Sequence, residues 1–311
     1  MYDNVDLKIR SLDVGGIDFL SQTPLYFNVT GEHCFNGENV ISGTLDGLRI
    51  SVSRSGVNIT DGSLCKYYLK DNFQTMGRSD TQRAIEKISD TLHLPLNKAT
   101  VTRIDVAQNI IVSHPTEVYF NHLGSSYPNK RLEQPDGLYY TNSKGLLLFY
   151  DKIKEQKAKG QPIPELYDGR NTLRYEQRYK ARLKDTFKVE RVTGAMLFDE
   201  LFYMGIIDRW HVAYKGIKKI NDVSINFEAM KGKKDFDLRG RLCFIEQQGG
   251  ELAMIKQIVE AQKKGELTRR QADELKAATR AACELKTGIT QQSDVIQELD
   301  MKINQAVKHY R

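Results

Sequence analysis

The chain has 311 residues, of which 40% are hydrophobic and 28% are charged, a composition typical of a globular protein with a sizeable core. Its formal net charge is +6 and its pI is near 8.9, so the surface favours a polyanionic partner without requiring one. Four scattered cysteines without a CxxC pair exclude a disulfide scaffold. No apolar run approaches the roughly 20 residues that span a bilayer, so we expect a soluble, cytoplasmic protein without a membrane segment.

The first 75 residues predict antiparallel strands. Short segments such as VDLKI, PLYFNV, LRISVSR and VNIT alternate polar and apolar positions and are separated by glycines. A helix is predicted from about Ser79, because its apolar positions up to Leu92 have helical spacing, and Pro95 ends it. Further strands are predicted at Thr100–Val112, near Gly137–Tyr140, at Gly145–Asp151 and at Leu173–Tyr179.

From Thr193 onward the pattern is mainly helical. MLFDELFYMGII is predicted to be a buried helix with Trp210 just past it, whereas the basic span 230–241 is predicted to be a loop. After Gly250 amphipathic helices follow, one with a capping box at Thr268 and Gln271 and an apolar stripe that ends at Leu285. We therefore predict an α+β fold with a mostly antiparallel sheet and packed helices in residues 1–245, and a helical tail in residues 246–311.

Three of the predicted strands carry charged side chains in an apolar frame. Because side chains alternate along a strand, residues i, i+2 and i+4 share a face. The shared faces are Arg103, Asp105, Ala107 and Asn109 on the first strand, Leu146, Leu148, Tyr150 and Lys152 on the second, and Arg174, Glu176, Arg178 and Lys180 on the third. Each strand therefore brings a carboxylate or a tyrosine close to cations.

The two carboxylates admit two interpretations. Burying Asp105 or Glu176 alone would cost several kcal/mol, so each needs an ion-pair partner or a bound cation. Structural pairing with the arginines two residues away is one answer. The other is a hard divalent ion, since two carboxylates and the Asn109 amide are oxygen ligands of the kind that Mg²⁺ prefers.

TVTRIDVAQN, LLLFYDKIKEQ and LRYEQRYKARLKDTF, in this order, resemble three motifs of the replication-initiation endonucleases of filamentous phages, the gene II/X family. That family carries an SRID strand, a strand ending in Tyr-x-Lys, and an RFE-x-R-x-K strand before a helix. The upstream GSLCKYYLKDNFQTM is similar to the family's segment before its first long helix. The resemblance covers roughly residues 45–200 and does not reach the helical tail.

The resemblance implies a rolling-circle replication initiator in the host cytoplasm that nicks origin DNA, keeps the 5′ end on a tyrosine and later rejoins the strand. By motif position Tyr150 is the nucleophile and Lys152 its cationic neighbour, while Asp105 and Glu176 belong to a Mg²⁺ or Mn²⁺ site. A phenol with a pKa near 10 needs such help at neutral pH. Tyr139, Tyr140 and Tyr179 are the rival tyrosines.

Candidate DNA contacts lie in the basic strand and just after it, where phosphate neutralisation and aromatic stacking would hold an unpaired strand. These residues are Arg103, Arg174, Arg178, Lys180, Arg182 and Lys184. The alternative functions are a non-catalytic origin- or single-strand-binding regulator and an RNA-binding α+β protein. The C-terminal helices are open to packing on the catalytic domain, dimerisation or binding of a host helicase, and the oligomeric state is open.

Overall fold

A computed structural model describes residues 1–15, 17–223, 230–284, 290–291 and 293–311. Ten strands form one antiparallel sheet in the order β2-β3-β4-β5-β1-β6-β10-β9-β8-β7. Its strands are β1 (Tyr2–Arg10), β2 (Asn28–Phe35), β3 (Glu38–Leu45), β4 (Leu48–Ser53), β5 (Gly56–Thr60), β6 (Thr100–Val112), β7 (Lys130–Gln134), β8 (Gly137–Thr141), β9 (Gly145–Asp151) and β10 (Asn171–Tyr179). A separate two-stranded ribbon pairs β11 (Asp222–Val223) with β12 (Thr290–Gln291).

Helices flank the sheet and make up most of the chain after β10. They are α1 (Phe19–Gln22), α2 (Leu64–Leu69), α3 (Arg78–Leu92), α4 (Thr116–His122), α5 (Lys152–Ala158), α6 (Leu183–Phe187), α7 (Glu200–Lys215), α8 (Lys233–Gln247), α9 (Glu251–Lys263), α10 (Arg269–Glu284) and α11 (Asp294–Tyr310). The predicted α+β class, with its mostly antiparallel sheet, is confirmed.

The sheet consists of two halves built on one plan. In each half a long strand is followed by a short helix and a four-stranded meander, whose last strand pairs back on the long strand. The long strands β1 and β6 pair antiparallel with each other at the centre of the sheet. The fold is therefore an internal duplication in topology.

Several predicted elements differ from the structure for identifiable reasons. The basic span 230–241, predicted to be a loop, is helical from Lys233, where α8 begins. This helix is stabilised because its residues Leu242 and Ile245 pack against Ala282 of α10. Trp210 lies inside α7 instead of just past it. Strand β7, with the sequence KRLEQ, was not predicted, because an edge strand with charge on both faces has no alternation. Leu285 lies outside the described residues.

The capping box predicted at the start of α10 is present. The backbone N–H of Thr268 donates to Gln271 Oε1 at 2.9 Å, and the backbone N–H of Gln271 donates to Thr268 Oγ1 at 3.3 Å. These reciprocal bonds satisfy donors that a helix leaves unpaired at its first turn.

Aromatic side chains fill the core between the sheet and the helices. Tyr175 of β10 stacks on Phe149 of β9 with ring centroids 4.5 Å apart, and it also contacts the ring of Trp210 at 4.7 Å. Its hydroxyl donates to the Trp210 carbonyl oxygen at 3.0 Å. Because alternate residues point to opposite faces, this packing orients Arg174 and Glu176 away from the core helices.

The last helix belongs to the main core. Ile296, Leu299 and Ile303 of α11 are fully buried in the same apolar cluster as the sheet. Residue 245, the boundary proposed between the sheet domain and the helical tail, lies inside α8. The division into 1–245 and 246–311 stays a prediction, but α11 packs as part of the sheet's core. Among the described residues, no helix combines the length and apolarity needed to cross a membrane.

Replacing Ile303 with alanine should destabilise the whole protein by about 2–5 kcal/mol, because it leaves a cavity in the main core. Met301 lies two residues away on the same helix and is 52% exposed, so Met301→Ala should change stability by less than about 0.5 kcal/mol. Urea unfolding followed by circular dichroism measures both. An Ile303→Ala protein as stable as the parent would show that α11 is a detachable appendage.

Candidate active site

The three strands predicted to converge lie side by side in the order β6-β10-β9. Their register places Arg178 directly opposite Asp105 and Arg174 opposite Asn109 on one side. On the other side Arg174 lies opposite Tyr150. The charged faces deduced from strand alternation therefore form one continuous surface across the three strands.

Asp105 is completely buried beneath two arginines. The Arg103 Nε and Nη2 groups donate to its two carboxylate oxygens at 2.9 and 2.5 Å. Arg178 Nε donates to Glu176 Oε1 at 2.5 Å and lies 3.7 Å from Asp105 Oδ2. The Arg178 guanidinium thus lies between the carboxylates of Asp105 and Glu176. The side chains of Arg103 and Arg178 are 18% and 26% exposed, so they separate the carboxylates from solvent.

The second buried cation is Arg174, which is 1% exposed. Its guanidinium pairs with Asp3 of β1, and its Nε lies 3.6 Å from Glu176 Oε2. Nη1 donates to Asn109 Oδ1 at 2.9 Å and to the Asn72 carbonyl oxygen at 3.1 Å. Burial acts to raise the pKa of Asp3, but Arg174 and other donors outweigh it and hold that pKa below its usual value.

The charges of this buried network balance. It contains three carboxylates and three guanidiniums, contributed by Asp3, Asp105, Glu176, Arg103, Arg174 and Arg178. Burial and, to a smaller extent, the neighbouring Glu176 charge together raise the pKa of Asp105 to about 6, although Arg103 and Arg178 act to lower it. Keeping Asp105 ionised in this position therefore costs stability at neutral pH.

The Tyr150 hydroxyl lies at the end of the network. Its Oη is 3.4 Å from Glu176 Oε2, and it is oriented to donate to that oxygen. This contact is longer than an ordinary O–H···O hydrogen bond. Burial raises the pKa of Tyr150 above its usual value, and the nearby Arg174 acts to lower it. The tyrosine is therefore neutral at rest, with a carboxylate and a cation within reach.

Lys152 does not extend the tyrosine's strand. β9 ends at Asp151, which caps α5 by accepting from the backbone N–H of Lys154, so Lys152 is the first residue of that helix. Its Nζ donates to Glu155 Oε2 at 2.8 Å and to Gln156 Oε1 at 3.2 Å. Burial and Arg174 lower the pKa of Lys152 to about 8. The cation directly across from Tyr150 is Arg174, not Lys152.

Asn109 supports a loop instead of joining Asp105. Four residues along a strand separate the two by about 13 Å. The Asn109 amide nitrogen donates to the carbonyl oxygens of Asn72 and Phe73 at 2.9 and 3.0 Å, and its oxygen accepts from Arg174. The structure thus does not bring Asn109 into one cation site with Asp105.

Comparison with known protein families places this geometry in context. Residues 1–196 match the family described as the N-terminal region of the gene II replication-associated protein, which covers the three convergent strands and the first half of the sheet. The chain belongs to this family. A comparison with curated proteins found no match. The family match confirms the resemblance to filamentous-phage replication initiators and begins at residue 1 instead of about residue 45, so it includes Asp3.

Within this replication-protein fold, the rival tyrosines have other contacts. Tyr179 packs against Phe187 in the core, and the buried Tyr140 hydroxyl donates to the Leu123 and Gly124 carbonyl oxygens. Tyr139 lies opposite Leu148 and so shares the site's face, but its hydroxyl donates to Asp136 Oδ2 at 2.6 Å. Tyr139 is therefore the nearest rival to Tyr150.

The predicted DNA-binding residues divide into three groups, because Arg103 and Arg178 are partly exposed and differ from both the exposed residues and the buried Arg174. Lys180, Arg182 and Lys184 are exposed just beyond β10, so a phosphate can reach them. Arg174 is enclosed by protein groups and cannot contact DNA in this arrangement. The aromatic residues that alternate with these cations in the sequence, Tyr175 and Tyr179, were candidates for base stacking, but both are buried in the core and cannot stack on DNA bases.

Sequence reasoning missed Asp3 and the Asn72–Phe73 carbonyls. Asp3 lies 171 residues before Arg174 in the chain, and nothing in its local pattern indicates a partner. The carbonyls are backbone groups that carry no residue-type signal. Within the described residues, no group of three or more His, Cys, Asp or Glu side chains is placed to hold a metal ion. The carboxylates that act on the Tyr150 phenol are those of Glu176, Asp3 and Glu155, whereas Asp105 is connected to Glu176 through Arg178.

The raised pKa of Asp105 predicts how stability depends on pH. The folded protein binds the Asp105 proton more tightly than the unfolded chain does. The contribution of Asp105 to the free energy of unfolding is therefore greatest below the usual pKa of 3.8 and falls as the pH rises to about 6. The unfolding free energy of the parent minus that of Asp105→Asn should therefore fall by about 3 kcal/mol over this range. Urea unfolding at a series of pH values measures the difference; a difference independent of pH would contradict the prediction.

Proposed function

We propose that this phage replication protein nicks one strand of origin DNA with Tyr150 as the nucleophile. The observation that supports the assignment is the placement of the Tyr150 hydroxyl at 3.4 Å from the Glu176 carboxylate and directly across from Arg174. A rigid strand end carries the phenol, so the attacking oxygen is positioned with little conformational freedom.

In the proposed reaction Tyr150 Oη attacks the phosphorus of a phosphodiester as its proton passes to Glu176. The new bond joins the tyrosine oxygen to the 5′ phosphate, and the bond from phosphorus to the 3′ oxygen breaks. The released 3′ oxygen takes up a proton to become a hydroxyl. The number of phosphoester bonds is unchanged, so the reverse attack by a 3′ hydroxyl rejoins the strand.

The arginines of the network would stabilise the charge that develops on the phosphoryl oxygens. Arg103 and Arg178 are the partly exposed members, and guanidiniums bind phosphate oxygens in a bidentate manner. Their present partners are carboxylates, so an arriving phosphate must compete for them. Lys180, Arg182 and Lys184 add exposed positive charge beside this opening.

A divalent ion, Mg²⁺ or Mn²⁺, is compatible with the two carboxylates. Both already lie around one cationic group, because Arg178 Nε is 2.5 Å from Glu176 Oε1 and 3.7 Å from Asp105 Oδ2. We propose that Asp105 and Glu176 hold the ion when Arg103 and Arg178 turn to the DNA phosphate. Such an exchange keeps the buried charges paired. The bound ion would supply Lewis-acid stabilisation of the phosphoryl oxygens.

A second candidate function is a non-catalytic regulator that binds the origin or single-stranded DNA. The pairing of charges in the network favours this second function. Three carboxylates paired with three guanidiniums are also what a cluster with a purely structural role would contain. The partners proposed for either function are origin DNA and, through the C-terminal helices, a host helicase.

Tyr150→Phe should abolish nicking of supercoiled origin DNA and the covalent protein–DNA adduct, because it removes the attacking oxygen and keeps the ring. Tyr139→Phe is the matched control on the neighbouring strand and should retain both. Agarose gels measure nicking, and mass spectrometry of the adduct identifies the attached tyrosine. An adduct on Tyr139 would move the nucleophile to that residue, and DNA binding without any adduct in the parent protein would favour the regulator.

Asp105→Asn and Glu176→Gln should each weaken Mn²⁺ binding at least tenfold, because each removes one of two carboxylate ligands. The parent should bind Mn²⁺ more tightly when a single-stranded oligonucleotide is present, since the phosphates then draw the arginines away. Electron paramagnetic resonance of free Mn²⁺ measures this without requiring activity. Equal Mn²⁺ affinity in the parent and both variants would reject the ion site.

A further inference from the structure

The two halves of the sheet share a plan but carry different chemistry on the face of the active site. In the second half, the strands next to β6 bring Tyr150, Arg174 and Glu176 to this face. In the first half, the corresponding strands β4 and β5 bring Ser51, opposite Asn58, to the same face. The ion pair that Arg49 of β4 makes with Asp61 is exposed, so the described strands of the first half carry no counterpart of the buried network.

Smaller side chains leave this part of the face open. A groove with a volume of about 600 Å³ runs over strands β1 to β5. Its lining includes Lys8, Phe35, Ser42, Ser51, Ser53 and Asn58. Register pairs connect these strands without a break, since Ser42 lies opposite Ser51 and Asn58 lies opposite Lys8. The groove thus crosses the first half of the sheet from its edge to its centre.

The inner end of the groove lies near Arg103, at the end of the ion-pair network opposite to Tyr150. Lys8 lies two residues along β1 from Asp6, which is directly opposite Arg103 of β6. Arg103 is the residue that covers Asp105. From β6 to the edge strand β2 there are five strand spacings, which amount to about 24 Å. A chain held in the groove would therefore enter the site beside Arg103.

The groove offers three kinds of contact that suit an unpaired nucleic acid strand. Lys8 is exposed and supplies positive charge for a phosphate. The serine hydroxyls and the Asn58 amide can donate to phosphate and sugar oxygens. At the outer end Phe35 is 64% exposed, and an exposed ring on an edge strand is a platform for base stacking. Glu38, the acidic group in the lining, accepts from the Ser55 backbone N–H.

We propose that the groove over β1 to β5 binds the single DNA strand that adjoins the cleavage point. The inference rests on the proposed nicking function and names the path of its substrate. In this arrangement the second half of the sheet carries the residues that cleave DNA, and the first half binds the single DNA strand. The occupant is single-stranded DNA, because a lysine, hydroxyls and one stacking ring match a flexible phosphate backbone with unstacked bases.

The test uses Tyr150→Phe protein and a fluorescently labelled single-stranded origin oligonucleotide, so that binding is measured without cleavage. Lys8→Ala in this background should weaken binding and reduce the slope of log affinity against log salt by about 0.7, as expected for one lost phosphate contact on a single strand. Phe35→Ala should weaken binding at least fivefold with an unchanged salt slope, because stacking carries no charge. Fluorescence anisotropy gives both quantities.

Matched controls lie on helices away from the groove. Lys256 of α9 is exposed and Phe236 of α8 is 54% exposed, so Lys256→Ala and Phe236→Ala should leave affinity within twofold of the parent. Thermal unfolding midpoints equal to the parent's will show that each variant is folded. Unchanged binding by Lys8→Ala and Phe35→Ala would overturn the proposal, as would loss of binding in the control variants alone.

The nicking function is scored separately in protein that retains Tyr150. If the groove variants weaken binding while the parent never forms an adduct, the groove stands as a binding site and the nicking proposal fails. If the parent nicks and the groove variants bind and nick as the parent does, the nicking proposal stands and the groove proposal is wrong.

Discussion

The buried ion-pair network on β6 and β10 constrains the rest of this face. Removing one partner from such a cluster leaves an uncompensated charge, which costs more than the intact network contributes. Because Asp3 comes from β1 and Tyr150 from β9, the network also fixes how four adjacent strands align. The loop at Asn72–Phe73 is held to it through Arg174 and Asn109. The ion pairs and hydrogen bonds of this one network therefore connect the centre of the sheet, the loop that covers it and the candidate nucleophile.

The internal duplication explains how one sheet can carry a dense charged cluster without losing its core. Both halves bury apolar side chains on the helix side, as with Ile50 and Ile59 in the first half and Phe149 and Tyr175 in the second. The opposite face is then free to differ between the halves. The shared plan positions β1 and β6 as neighbours, so the polar face of one half continues directly into that of the other.

Strand alternation predicted much of the site because the side-chain period of two is a strong local signal. It placed Asp105, Glu176 and Tyr150 on one face of the sheet, and the register sets Glu176 midway along the strands between the levels of Asp105 and Tyr150. It treated Lys152 as a strand residue, whereas a helix begins there; the lysine nevertheless lies close enough to Arg174 and Asp3 for their charges to act on its pKa. It also failed at Asn109: sharing a face does not mean sharing a site when four residues intervene. The residue pattern alone gives the face to which each side chain points. The distance between two side chains, along and across the strands, follows only from the register of the strands.

Contacts between segments that are distant in the sequence could not be predicted from the local residue pattern, for a different reason. The hydroxyl of Tyr310 at the end of α11 bonds to Thr75 and to Gln108 Oε1, while the neighbouring carbonyls of Asn72 and Phe73 accept from Asn109. The loop of residues 72–75 is therefore held on one side by the ion-pair network and on the other by the last helix. The amphipathic stripe of α11 indicates that one face is buried, but it carries no information on which loop the helix meets. Because that loop covers Arg174, and Arg174 faces Tyr150, the position of α11 affects the environment of the candidate nucleophile. The last helix, α11, thus connects to the site through these hydrogen bonds, even though the family match ends at residue 196.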